Sequence, residues 1–240
     1  MEVHAHSHTE RKKWTHYLWE FLMLFLAVFC GFLAENIREH NVEKKKGEQY
    51  ILSFSEDLKK DTVQCDLSIA ELTETMSVLQ NLIPCFNTLK ENIHATDCLT
   101  EIIFYSRGFK DFIYTDRTIQ QLKNAGGLRL IEDKEIADSI IDYDAIVREM
   151  QIHQGVLENL QQLTIDAHKS MIDFVHLDEL GHKGQTNTLF LLSDDRAELN
   201  KYFNSINEFK RGLFGQLIWM HLIRDKAIRL LELLHKKGYK

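Results

Sequence analysis

Residues 14–35 read WTHYLWEFLMLFLAVFCGFLAE, and this stretch decides what kind of fold the chain can have. From Phe21 to Ala34 every residue is apolar or glycine, and Tyr17, Leu18 and Trp19 extend the run with Glu20 as the one interruption. As a helix, Tyr17 to Ala34 would rise about 27 Å, close to the hydrocarbon thickness of a bilayer. A cleaved signal peptide needs a small-residue cleavage site after the apolar run. Here Ala34-Glu35-Asn36-Ile37-Arg38 follows, and Cys30-Gly31-Phe32 has no small-x-small pattern. A buried helix of a soluble domain is the other alternative, because the uninterrupted part is short. Trp14, Tyr17 and Trp19 gather at one end, where amphipathic rings favour the interface, so residues 14–35 read as a transmembrane helix.

Lys/Arg counts alone do not orient the span, since Arg11, Lys12 and Lys13 precede it and Arg38, Lys44, Lys45 and Lys46 follow. The cluster before the span lies closer to the bilayer, which places the N-terminus in the cytoplasm and the large domain outside. Glu20 is an acidic residue within this segment, and an ionisable group in a membrane is a functional candidate by default. It could carry protons or pair with a partner helix. Its position one turn inside the Trp14 boundary also lets it reach headgroup water.

The 240 residues suffice for an anchor and one ordinary domain. A net charge of −7 and no sustained basic face argue against a nucleic-acid partner. With one proline, Pro84, and few glycines, the elements must be long, and long elements here mean helices. The fold class is therefore all-α: an N-terminal transmembrane helix, then a bundle of long antiparallel helices over residues 36–240. Residues 1–13 form a His-rich tail in which His4, His6 and His8 alternate. A transient metal contact is conceivable there, but no Cys partner stands at ligand spacing, and the tail reads as disordered.

Along the chain, a long helix is expected from Glu35 to Ile83. Ile51, Leu58, Cys65, Leu72 and Leu79 recur every seven residues, with Thr62, Ile69, Met76 and Ile83 as a second row. Glu56, Asp57, Lys59, Lys60, Asp61, Glu71 and Glu74 read as its solvated face. Pro84 should end this helix. Residues 86–114 suggest one or two shorter helices. Phe104, Tyr105, Phe109, Phe112 and Tyr114 make the most aromatic part of the soluble region, and could line a ligand pocket or fill one end of a helical core.

Thr115 or Asp116 can cap a short helix to about Ala125, which Gly126-Gly127 breaks. A long helix then begins near Glu132 and reaches toward Leu180. Its stripe is Ile136, Ile140, Tyr143, Val147, Met150 and Leu157, continued with a small shift by Leu160, Leu163, Ala167, Met171 and Phe174; Gly155 is a possible kink. Gly181 to Asn187 is a loop. Ser193 with Arg196 suggests a cap before a last helix to about Lys237, with a seam of Ile206, Leu213, Met220, Ala227 and Leu234. Of the cysteines at 30, 65, 85 and 98, Cys85 and Cys98 could pair if the domain is extracytoplasmic. In a reducing compartment all would be buried thiols.

Chemistry-bearing motifs are missing: no GxSxG, Walker loop, GxGxxG or HExxH. Asp166 and His168 face different directions on a helix, while Asp173 with His176 and Glu149 with His153 could share a face. Such pairs on long helices are usually surface contacts. The expectation is a non-enzymatic protein with no cofactor and no metal site.

Two places resemble a known family. One is Tyr17-Leu18-Trp19-Glu20 with its apolar run, Ala34-Glu35-Asn36, Gln49-Tyr50-Ile51 and Glu56-Asp57-Leu58-Lys59-Lys60-Asp61. The other is Leu122-Lys123-Asn124-Ala125-Gly126-Gly127-Leu128-Arg129-Leu130-Ile131 with Lys134-Glu135-Ile136 and Ile140-Ile141-Asp142-Tyr143. Through about residue 150 the chain is similar to a family of uncharacterised bacterial single-span membrane proteins with a helical domain of unknown function. The resemblance implies a single N-terminal span carrying a helical domain with no established activity, and Glu20 matches an acidic residue of that family; with the orientation read from the basic cluster, the expectation is a bacterial inner-membrane protein with its bundle in the periplasm.

Three functional expectations follow. The first is a membrane-anchored assembly, scaffold or sensor-like module acting on a protein partner or as a homo-oligomer, self-associating through the Ile51–Ile83 stripe. The second is an oligomeric channel or ion-motive component using Glu20. The third is a small-molecule sensor using the aromatic cluster.

Overall fold

A computed structural model describes residues 13–124, 126–176 and 189–239. The tail bearing His4, His6 and His8, the loop from Gly181 to Asn187, and residues 177–180 lie outside the described residues; the helix expected to reach Leu180 ends at Met171, where Ile172 turns extended and pairs with Leu191. The fold is all-α. In chain order the helices are α1 (Trp14–Leu79), α2 (Leu82–Glu91), α3 (Leu99–Tyr105), α4 (Arg117–Asn124), α5 (Lys134–Met171) and α6 (Arg196–Lys236). Short 3₁₀ turns occupy Thr96–Cys98 and Gly127–Leu130, and Ile172 and Leu191 form an isolated bridge.

Nothing in residues 14–79 breaks a helix, so α1 runs on for 66 residues, roughly 100 Å at the α-helical rise. Its first part, through Val42, is exposed along its whole circumference. By length and composition this apolar part is a candidate membrane span, and none of it is buried against protein. From Gly47 onward one face of α1 is buried.

Pro84 does not end the helix as expected. The break falls earlier, at Gln80 and Asn81, and Pro84 sits in the first turn of α2. Its nitrogen cannot donate to the Gln80 carbonyl and its ring crowds that carbonyl, so the helix yields one turn ahead of the proline. In a first turn the missing N–H costs nothing.

The first row of α1, from Ile51 to Leu79, is buried at every position, as expected. The second row is different. Phe54, Asp61, Ser68 and Thr75, three residues after each member of the first, are buried, while Ile83 is exposed. Asp57 and Asp61, expected in solvent, are each 1% exposed. The seam keeps its heptad register by accepting polar residues that find hydrogen-bond partners across it. In α5 likewise the seam continues in register through Thr164 and His168, leaving Leu163 exposed, and the helix runs unbroken through Gly155. The α6 seam is buried as expected, with Gln216 added to it. Asp195 caps α6, its carboxylate accepting from the Ala197 and Glu198 amides at 2.7 and 3.0 Å, while Ser193 accepts from the Asp195 amide.

α6 packs along both α1 and α5 and runs antiparallel to each. Phe86 meets Phe203 and Asp66 meets Arg224 on one side; Thr164 meets Ser205 and Asp142 meets Lys226 on the other. The stripe expected to drive self-association is thus covered within the chain by α6. A return limb, residues 99–131, comes back along α1 toward the candidate span. Tyr105 bonds Glu74, Gln64 bonds Ile113, Asp61 bonds Thr115, and Arg129 reaches Glu43. The topology is up-down-up-down, with the second limb only partly helical.

Candidate functional site

The lower half of the α1 seam meets residues 115–144 in space, where the return limb is fastened to α1. Asp57 accepts from the Arg117 guanidinium at 3.1 Å, from the Thr118 amide at 3.2 Å, and from the Thr118 hydroxyl. It thereby satisfies an N-terminal amide of α4, the task an N-cap side chain normally performs from within its own helix. One turn on, Asp61 accepts from the Thr115 amide at 3.0 Å and the Tyr143 hydroxyl at 2.8 Å. Burial raises the Asp61 pKa despite those hydrogen bonds from Thr115 and Tyr143.

Behind this pair, Asp144 takes Lys123, Arg148 at 2.9 Å and the Tyr114 hydroxyl at 3.3 Å. Burial pushes the Asp144 pKa upward, but the hydrogen bonds from Arg148 and Lys123 outweigh it and hold the carboxyl below its ordinary range. Burial raises the pKa of both Tyr114 and Tyr143, so both phenols stay protonated.

Nearer the span the clasp is steric. Gly126 takes a left-handed φ of 63°, which favours glycine. A Cβ at Gly47 would overlap the Leu130 carbonyl oxygen, so α1 carries glycine where the turn crosses it. Arg129 bonds Glu43 at 3.3 Å and His40 lies 3.8 Å from Glu132, so the limb grips the exposed stalk below the bundle. Among the described residues no buried side-chain nitrogen or oxygen lacks a partner. The arrangement fastens segments together. Asp57, Asp61 and Asp144 each accept hydrogen bonds from the chain's own residues.

The five aromatic residues do not converge on one cavity. Phe112 is buried, Phe109 packs on Phe209 at 6.3 Å, Tyr114 on Tyr143 at 6.1 Å, Tyr105 reaches Glu74, and Phe104 is 74% exposed. Tyr105 lies opposite Glu74 and Thr115 opposite Asp61, which spreads the cluster over about 20 Å of α1. Glu20 lies 3.0 Å from His16, one helical turn earlier, at the Trp14 end of the apolar run.

A buried polar cluster escaped the sequence reading. His168 Nε2 is 3.0 Å from the Ser106 hydroxyl and its Nδ1 is 3.0 Å from the Tyr202 hydroxyl. A hydroxyl beside an oriented imidazole is the layout of an activated nucleophile. Here Ser106, His168 and Tyr202 are each at most 3% exposed, and Ser106 donates back to the Ile102 carbonyl. No substrate reaches them in this conformation, and the trio ties α3, α5 and α6 together. Burial, with help from Arg107, pushes the His168 pKa down to about 4. The three residues lie far apart in the chain, so no local spacing announces them.

Cys85 and Cys98 form a disulfide, with Cα atoms 5.6 Å apart, which pins α2 to the 3₁₀ turn before α3. Cys65 is a buried thiol whose pKa burial pushes up to about 12. A groove of about 560 Å³ between α1 and α6 is lined by Ser55, Lys59, Leu231, Glu232, His235 and Tyr239. Among the described residues no three His, Cys, Asp or Glu side chains are placed to hold a metal ion. Comparison with protein-family models, curated proteins and solved structures gives no match.

Proposed function

We propose that this chain is a single-span membrane protein whose helical domain works by contact, as an assembly or scaffolding module, and not by catalysis. The observation that carries this reading is the continuity of α1, in which one unbroken helix is both the candidate span and a core member of the bundle. Any displacement or crowding of the bundle is thereby transmitted to the segment in the bilayer without a flexible linker. The clasp of Asp57, Asp61, Gly47 and Arg129 supports it further, because it fastens the only partly helical limb to that same rod.

The bundle belongs on the periplasmic side of a bacterial inner membrane, with the N-terminus in the cytoplasm. The Cys85–Cys98 disulfide supports this side, since such bonds persist in oxidising compartments. The basic cluster at Arg11, Lys12 and Lys13 points the same way. The test is alkaline extraction of membranes carrying the full chain, followed by protease treatment of spheroplasts. The chain should stay in the pellet and the bundle should be cut from outside. Release into the supernatant sinks the anchor, and protection of the bundle inverts the orientation.

A further inference from the structure

Two apolar patches on the outside of the bundle face away from its core. On α6, Phe214, Ile218 and Leu222 are exposed; on α5, Ile152, Val156 and Leu163 are. Each set lies opposite its own helix's buried seam. Ile218 is two residues from both Gln216 and Met220, and Ile152 two from Met150, or about 200° around the helix.

The register between α5 and α6 sets the heights of these patches. A Cβ on Gly212 would lie 2.7 Å from Leu157, His153 bonds Gln216, and Asp142 bonds Lys226. Val156 therefore stands level with Leu213, and Ile152 level with Leu217. Phe214 and Ile218 thus share a band with Val156 and Ile152, while Leu222 and Leu163 lie beyond it on opposite sides. In chains anchored by α1 that band sits at one height above the bilayer in every copy. Arg211 and Glu158, both exposed and of opposite charge, flank the patches at a common level. The Arg211 contact with Glu208, at 3.6 Å, is itself fully at the surface and exchangeable.

We propose that copies of this chain assemble side by side in the membrane, the α6 patch of one copy (Phe214, Ile218) packing on the α5 patch of its neighbour (Ile152, Val156), with Arg211 facing Glu158. The inference rests on the anchored reading above and adds the partner, a second copy of the chain. The two surfaces differ, so the contact is heterologous. With no rise along the membrane normal, repetition turns about that normal and, where the turn divides a full circle, closes into a ring. Two or three side chains per patch fall well short of the roughly 1,000 Å² expected of a free-standing interface. Confinement in one bilayer, at fixed height and orientation, raises the effective concentration enough to make so small a contact productive. Association is therefore a property of the membrane-bound chain and is lost on dilution in detergent.

The test uses full-length chains in membranes, in a Cys30→Ala background that removes the exposed free thiol. Ile152→Cys and Ile218→Cys are placed in two differently tagged copies, co-expressed, and treated with a short bismaleimide. The mixed 152–218 product should exceed either like-with-like product at least tenfold, and a chain carrying both changes should give a ladder ending at a fixed size. A collision control pairs Ile152→Cys with Val63→Cys on the exposed face of α1. Dominant 152–152 product would replace the heterologous contact by a two-fold one. Mixed product no higher than the collision control, with both chains in the membrane pellet, would refute the contact while leaving the anchor intact. Chains missing from the alkaline-extracted pellet would refute the anchor and the arrangement with it.

Discussion

Replacing Asp57 by alanine separates two pictures of α1. Read by its pattern, Asp57 belongs to a solvated face, where a substitution changes stability by less than about 0.5 kcal/mol. In the structure it is 1% exposed and accepts from the Thr118 amide and hydroxyl, and Thr118 is equally buried. Asp57→Ala leaves both donors without an acceptor. Each unsatisfied buried donor costs about 1–3 kcal/mol, and the hydroxyl recovers part of that by rotating. The Arg117 contact adds little, because that side chain is 61% exposed. The expected loss is about 3 kcal/mol, or a fall in Tm of about 6–12 °C for a domain of this size.

Thermal unfolding of the full chain in detergent, followed by helical circular dichroism, reads this directly. Lys60→Ala, an exposed neighbour on the same helix, should leave Tm unchanged. Combining Asp57→Ala with Thr118→Val removes one orphan, so the double variant should be less destabilised than the sum of the singles, with a coupling of about 1 kcal/mol. A Tm shift under about 2 °C for Asp57→Ala, or strict additivity in the cycle, would mean that the carboxylate does not fasten the return limb.

Four further outcomes follow from the same structure. His168 has a folded-state pKa near 4, below the 6.5 of a free imidazole, so the unfolded chain takes up the proton first. Its contribution is complete above about pH 6.5 and is lost as pH falls toward 4, a change of about 3 kcal/mol; His168→Asn should flatten the pH dependence of Tm across that window. Gly47→Ala gains up to about 1 kcal/mol of helix propensity but meets the Leu130 carbonyl, a backbone atom that no rotamer can move, so it should destabilise by about 1–2 kcal/mol and speed amide exchange over residues 126–131. Gly155→Ala, with nothing within 4 Å of its Cβ, should stabilise by about 0.5–1 kcal/mol in the same assay. Cys98→Ser opens the disulfide that spans 13 residues of chain and should cost about 3 kcal/mol by loss of loop constraint; alkylation under non-reducing denaturing conditions should label one more cysteine in the variant than in the parent, and one fewer would show the bond absent.

The architecture was legible because its apolar members obey one period. Ile51, Leu58, Cys65, Leu72 and Leu79 on α1, and Ile206, Leu213, Met220, Ala227 and Leu234 on α6, are buried at every step. The second row of α1 was misread because a hydrophobic pattern is blind to buried polar residues. Asp61, Ser68 and Thr75 hold positions that apolar residues usually fill, and the apolar pattern continues instead one residue later through Ile69 and Met76, which are only partly buried. The same blindness shifted the α5 stripe from Thr164 and His168 to Leu163. The clasp could not be foreseen from spacing, since Asp57 finds its partners 60 and 61 residues away. One local signal did exist: Gly47 in an otherwise glycine-poor helix marks a close approach, and its partner is the glycine-containing turn at Gly126-Gly127.

The distribution of polar seam residues has a physical logic. Where α1 meets α6, two regular helices interdigitate through apolar side chains, with the Asp66–Arg224 ion pair at the edge of the seam. Where α1 meets the return limb, residues 106–116 are largely unwound, so their amides have no helical partners and must be satisfied from outside. Gln64 supplies both an acceptor for the Ile113 amide and a donor to its carbonyl, Asp61 takes the Thr115 amide, and Asp57 takes that of Thr118. An apolar α1 at Asp57 and Asp61 would leave the buried Thr118 amide and the half-buried Thr115 amide unpaired, at up to about 1–3 kcal/mol each. The acidic face is therefore the condition for having an irregular limb here at all. That limb in turn lets the chain return from the tip of the bundle to the stalk and grip α1 at Gly47 and Glu43, toward the candidate span.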